Sequence, residues 1–130
     1  SSRAAAAENY RGKAPFATFD PAALEAYVEW GFEDLGDGTV RLLCRSEDEA
    51  RFYEKAMFHG AFTRLHRVAC AVTVACGGVD AHFGPQAMGL VASQLGGQAT
   101  TEVLPEVGHL GPMEQPGLVA ASIIRAFEGG

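Results

Sequence analysis

The first part of the chain carries apolar residues at helical spacing, separated by polar turns. A helix is predicted near residues 21–30, because Asp20-Pro21 combines a capping acid with a proline suited to the first helical turn. A second helix is predicted from Ser46, where serine is followed three residues later by Glu49 in the pattern of a capping box. Residues 1–14 are small and polar, and we expect a flexible lead-in or a frayed helix end there.

The pattern changes near residue 66. Residues 68–76 are nearly all apolar without alternation, which predicts a parallel strand buried on both faces and stopped by Gly77-Gly78. A helix is predicted over 85–95, a second strand over 100–104 and a final helix over 115–127. Strand, helix and strand with short connections form a βαβ unit with parallel strands, so the predicted fold class is α/β.

Two groups of apolar side chains in the helices are expected to pack in a core. One is the stripe of Val119, Ile123 and Phe127 along the final helix. The other is the aromatic set of Phe52, Tyr53 and Phe58, for which we also consider a place in the wall of an acyl pocket.

Composition excludes several classes of protein. The chain has 130 residues, 48% of them hydrophobic and 20% charged, which is typical of one globular domain. A net charge of −6 argues against a nucleic-acid partner, and no apolar run is long enough to cross a membrane. Three cysteines without CxxC spacing indicate reduced thiols in the cytoplasm, and no cofactor or metal is predicted. The chain begins without Met or a signal-peptide pattern, which suggests a piece of a longer protein.

One carboxylate and one imidazole follow the two predicted strands. Asp80 comes after Gly77-Gly78, and His109 comes after the second strand and Gly108. Ligands bind at the carboxyl edge of parallel strands, so we expect these two side chains to meet there. A carboxylate that orients an imidazole makes it a general base, although ordinary polar loop residues are the alternative.

The pair has no evident nucleophile in this chain. Cys76 ends the first strand near Asp80, where it is either a core residue or a thiol that works with His109. His82 and Asp80 form an Asp-x-His metal pair only if further ligands join them, and none stands at a defined spacing. The remaining candidates have no partner in the sequence or are expected in helices and caps: Ser46, Ser93, Ser122, His59 and His66.

Two segments resemble motifs of the α/β-hydrolase fold enzymes. These are residues 77–80, Gly-Gly-Val-Asp, and residues 108–116, Gly-His-Leu-Gly-Pro-Met-Glu-Gln-Pro. The resemblance implies that Asp80 is the acid and His109 the general base of a triad in the order nucleophile, acid, histidine. It also implies a helical lid over residues 15–65, followed by the C-terminal β-α-β-α part of the hydrolase core over 66–130. We interpret Glu114 as a favourable charge before the last helix.

The chain departs from this family by lacking the Gly-x-Ser-x-Gly elbow and the loop that precedes it. The resemblance therefore implies the C-terminal fragment of a hydrolase whose expected nucleophile is serine. The fragment is expected to be inactive alone, and the whole enzyme to act on a small ester-like or related apolar substrate. We expect the open sheet edge to recruit the N-terminal half of the enzyme or a second copy of the chain. The alternative is a non-catalytic α/β module for binding or dimerisation.

Overall fold

The structure, a computed structural model, describes residues 1–56, 58–79, 83–96 and 99–128. The chain divides into two compact units, Ser1–His59 and Gly60–Gly130. Both combine helices with a small two-stranded sheet, antiparallel in the first unit and parallel in the second. Among the described residues, no helix has both the length and the apolar character needed to span a bilayer.

The first unit packs two helices against a short hairpin. The predicted helix near 21–30 is confirmed, and its N-terminus is capped by Asp20, whose carboxylate accepts from the amides of Ala22 and Ala23. The unit contains helix α1 (Arg3–Arg11), a 3-10 turn (Phe16–Thr18), helix α2 (Pro21–Gly31), strands β1 (Phe32–Asp34) and β2 (Val40–Leu42), and helix α3 (Ser46–Ala56).

Of the two expectations for residues 1–14, a flexible lead-in or a frayed helix end, the helical one is nearer to the structure, because residues 3–11 form helix α1. Ala6 is buried with Leu24, Val28 and Phe32 in the core of the unit. The Arg3 guanidinium also donates to the carbonyl oxygens at the end of α2, including that of Val28 at 2.8 Å. The run of alanines lets α1 approach α2 closely, because small side chains leave room between the two backbones.

Helix α3 differs from its prediction at its start and along its surface. Ser46 is the first helical residue rather than the cap, because the Glu49 amide bonds to the carbonyl of Arg45. The three aromatic residues expected in a core are exposed: Phe52, Tyr53 and Phe58 have exposed fractions of 69%, 67% and 83%. The core interpretation of these side chains is therefore wrong within this chain.

The second unit contains the expected parallel pair of strands. It consists of a 3-10 helix (Phe62–Arg67), strand β3 (Val72–Gly77), helix α4 (Pro85–Gln94), strand β4 (Ala99–Leu104) and helices α5 (Gly111–Glu114) and α6 (Pro116–Glu128). The strands run in register from Val72 opposite Ala99 to Gly77 opposite Leu104. The first strand starts at Val72 rather than at residue 68 and is half-buried rather than buried, since β4 is its one paired neighbour among the described residues.

The predicted stripe of α6 packs on the unit only at its first residue, Val119, which is half-buried. Ile123 and Phe127 are 53% and 85% exposed, whereas Ser122 is buried. The Ser122 hydroxyl and the Arg125 guanidinium both donate to the carboxylate of Glu102 on β4. Polar contacts therefore join α6 to the sheet, while Ile123 and Phe127 of the stripe remain exposed.

These contacts make the stability of the second unit depend on pH. The hydrogen bond from Ser122, together with Arg125, lowers the pKa of Glu102 below its ordinary value. A carboxyl whose pKa falls on folding stabilises the fold above its ordinary pKa and loses this effect as the pH falls through the folded value.

We therefore expect Glu102→Gln to lower the melting temperature at pH 7 and to reduce its further fall between pH 5 and pH 3. Thermal unfolding followed by circular dichroism at several pH values measures both effects. Glu106→Gln is the matched control, because it removes an exposed carboxylate from the same unit. Equal pH profiles for Glu102→Gln and the wild type would contradict the prediction.

Candidate functional site

The carboxyl ends of β3 and β4 are held together by backbone contacts. The Gly78 amide donates to the Leu104 carbonyl at 2.8 Å, and the Val79 amide donates to the Val107 carbonyl at 3.2 Å. A Cβ atom on Gly78 would lie 2.7 Å from the Cα of Pro105. The glycine after β3 is thus required by the close approach of the two loops.

The loop after β4 presents His109 beside an aromatic ring from the other loop. The rings of Phe83 and His109 are stacked, with centroids 4.9 Å apart and planes 22° from parallel. Both side chains are largely exposed. The imidazole therefore has one face against an aromatic ring and lies at the surface of the site.

A cavity of about 290 Å³ opens at this edge of the sheet. It is lined by the ends of both strands, by the His109 loop and by α5 and α6: Ala75, Cys76, Gly77, Phe83, Leu104, Val107, Gly108, His109, Gly111, Pro112 and Val119. Most of these side chains are apolar, and the chemically reactive groups among the described residues of the wall are the imidazole of His109 and the thiol of Cys76. The volume suits a small molecule or part of a larger one.

Glu114 has a role that the sequence did not reveal. Its Oε2 atom accepts a hydrogen bond of 2.8 Å from the amide of Gly108, the residue directly before His109. The interpretation of Glu114 as a helix-starting charge gave no indication of this contact. The signal in the sequence was the spacing: Glu114 stands six residues after Gly108, and the short helix α5 between them returns its carboxylate to the Gly108 amide.

The predicted site residues have different positions relative to this cavity. His109 and Cys76 both line it. Asp80 and His82 lie outside the described residues, so their predicted roles stay predictions. The serine candidates lie elsewhere, since Ser122 is bonded to Glu102 and Ser93 to the carbonyl of Leu90.

Ser46, His59 and His66 are not among the residues that line the cavity. Ser46 and His59 belong to the first unit, and His66 is in the 3-10 helix of the second. All three are exposed. None of them takes part in the arrangement at the ends of β3 and β4.

The arrangement places an imidazole beside a largely apolar cavity. Imidazoles are the commonest general acids and bases in enzymes, which makes His109 the candidate for such a role. Within the part of the chain that the structure describes, no group of three or more His, Cys, Asp or Glu side chains is arranged to hold a metal ion. Comparison with protein-family models, curated proteins and solved structures finds no match to this chain.

Proposed function

We propose that this chain is the C-terminal part of a serine hydrolase of the α/β-hydrolase fold, in which His109 is the general base and Asp80 the acid that orients it. The nucleophile comes from an N-terminal half outside this chain, and the substrate is a small ester-like or related molecule. A single observation carries the proposal: the residues on both sides of 80–82 contact the His109 loop. Val79 bonds to Val107, and Phe83 stacks on His109.

The two contacts support a pairing of the carboxylate with the imidazole. A carboxylate that accepts from one ring nitrogen selects the tautomer and stabilises the imidazolium that forms during the reaction. The other ring nitrogen then takes the proton of the nucleophile and later delivers it to the leaving group. The apolar wall of the cavity suits the acyl or other apolar part of the substrate.

The second unit also supports the proposed partner. Among the described residues, β3 pairs with β4 alone, and its other edge has no strand against it. Exposed apolar side chains surround this small sheet, including Val103, Ile123 and Phe127. Covering such a surface stabilises a fold, so we propose that the N-terminal half of the enzyme or a second copy lies there. Three unpaired thiols fit a cytoplasmic setting.

Labelling with a fluorophosphonate probe tests the proposal. We expect the gene upstream of Ser1 to encode a Gly-x-Ser-x-Gly elbow, and the longer polypeptide to be labelled at that serine and to hydrolyse p-nitrophenyl esters. The 130-residue chain alone should give neither signal. An upstream sequence without a nucleophile, and no activity in the longer polypeptide, would instead support a non-catalytic binding or dimerisation module.

A thiol mechanism is the second candidate, because Cys76 and His109 line the same cavity. Cys76 is half-buried at the end of β3. If it were the nucleophile, iodoacetamide at neutral pH would modify it faster than the exposed Cys44 and Cys70 and would abolish hydrolysis by the 130-residue chain. The hydrolase proposal predicts that Cys76→Ser leaves ester hydrolysis by the longer polypeptide intact.

A further inference from the structure

The loop that carries His109 is fixed at its centre by Val107. This side chain is 3% exposed, the lowest value among the core residues of the second unit. Its amide donates to Leu104 at 3.1 Å, and its carbonyl accepts from Val79. Gly111 has no room for a Cβ atom, which would collide with the Val107 side chain. The backbone on both sides of His109 is therefore confined.

Glu114 confines the residue next to the imidazole. In addition to the hydrogen bond from the Gly108 amide, its carboxylate lies directly over the Gly108 Cα. A Cβ atom at position 108 would meet Oε2 and would lie 2.9 Å from Oε1 and 3.0 Å from Cδ. Gly108 and Glu114 thus fit each other closely, and a change at either position disturbs the other.

Phe83 confines the ring itself. The two planes are 22° apart, an almost parallel stack in which rotation of the imidazole about its Cβ–Cγ bond would drive its edge into the phenyl ring. The contact comes from the loop after β3, whereas Glu114 acts from the helix that follows the histidine. Two independent parts of the unit therefore restrict His109.

We propose that Glu114 and Phe83 are positioning residues for His109, Glu114 by fixing the backbone through Gly108 and Phe83 by fixing the plane of the ring. This inference rests on the proposed function, because it assigns the restricted imidazole its role as general base. A displacement of about 1 Å in a reacting group can cost on the order of 10²-fold in rate. Loss of either contact therefore lowers kcat by about tenfold to a hundredfold and changes KM little.

The first experiment needs no catalysis. In the 130-residue chain, the ring protons of His109, assigned through His109→Ala, lie upfield in the NMR spectrum because the phenyl ring of Phe83 shields them. Phe83→Leu removes this shift, whereas Phe83→Tyr keeps it. The control is Phe62→Leu, which changes another exposed phenylalanine of the same unit and leaves the shift as it is in the wild type. An unchanged His109 spectrum in Phe83→Leu would overturn the role of Phe83.

The second experiment measures the coupling between Glu114 and Gly108. In the longer polypeptide, Glu114→Ala lowers kcat, while Glu114→Gln, which keeps an acceptor oxygen, retains most of it. Gly108→Ala is damaging alone but less so in the Glu114→Ala background, where the collision is relieved. Additive effects, or equal losses for Glu114→Gln and Glu114→Ala, would overturn the role of Glu114.

Hydrogen exchange of the Gly108 amide in the 130-residue chain separates the two proposals. We expect protection in the wild type and in Glu114→Gln, and loss of protection in Glu114→Ala while circular dichroism stays unchanged. If hydrogen exchange and ring shifts follow this pattern but His109→Ala leaves the activity of the longer polypeptide intact, the hydrolase proposal fails. The positions of Glu114 and Phe83 around His109 are then still confirmed. If His109 is essential but the amide is unprotected, the positioning inference fails alone.

Discussion

Replacing His109 with alanine in the proposed complete hydrolase is expected to lower kcat by on the order of 10⁴- to 10⁶-fold. In the proposed mechanism the imidazole accepts the proton of the nucleophile and returns it to the leaving group, and among the described residues of the cavity wall no other side chain does both. KM should change much less, because the imidazole contributes little to the binding of the apolar part of the substrate. Steady-state hydrolysis of p-nitrophenyl esters measures both constants.

His66→Ala is the matched control for this variant. His66 is an exposed histidine of the same unit, in the 3-10 helix before β3, and it does not line the cavity. The substitution His66→Ala removes the same functional group as His109→Ala and should leave kcat unchanged. Asp80→Asn should resemble His109→Ala, since an amide holds the wrong tautomer. Full activity of His109→Ala, or equal losses for the two histidines, would contradict the proposed function.

The elements that the sequence predicted well are those set by neighbouring residues. Helix α2 follows from its cap at Asp20 and its proline, and α4 and α6 follow from their apolar spacing. The parallel pairing of β3 and β4 follows from a non-alternating apolar run and a helical connection. These signals involve residues close together in the chain, so they predict a helix or strand without knowledge of the rest of the fold.

Burial was the part that the sequence did not predict. Ile123 and Phe127 of the α6 stripe and the aromatic residues of α3 are exposed, while the alanine-rich α1 contributes buried Ala6 to a core. Which face of a helix is buried depends on the partner that it meets. Tyr10 illustrates this, because its ring packs 4.4 Å from that of Phe16 and 6.1 Å from that of Phe32, contacts that helical spacing does not reveal.

The site shows the same division between local and distant signals. The sequence predicted His109 at the end of β4, because the strand and the Gly-His pair are adjacent in the chain. It did not predict that Phe83 would stack on the imidazole or that Glu114 would bond to Gly108. Both contacts join residues that are separated in the chain, and they depend on loop conformations around the buried Val107.

The glycine at the end of β3 is expected to contribute strongly to the stability of the second unit. A Cβ atom on Gly77 would collide with the carbonyl oxygen of Val107 and would lie 2.6 Å from that of Gly108. Both obstacles are backbone atoms, which cannot turn aside as a flexible side chain can. Gly77→Ala therefore pushes the His109 loop away from β3 and puts at risk the hydrogen bond between Val79 and Val107.

We expect Gly77→Ala to lower the free energy of unfolding by about 3 kcal/mol, which for a unit of this size lowers the melting temperature by more than about 10 °C. Gly89→Ala is the matched control, because this exposed glycine in α4 has no atom near its Cβ direction. Alanine favours a helix over glycine by about 1 kcal/mol, so the control should be as stable as the wild type or more so. Calorimetry on the two variants measures the difference.

Equal melting temperatures would mean that the two loops are not in close contact, which would also remove the main support for pairing Asp80 with His109.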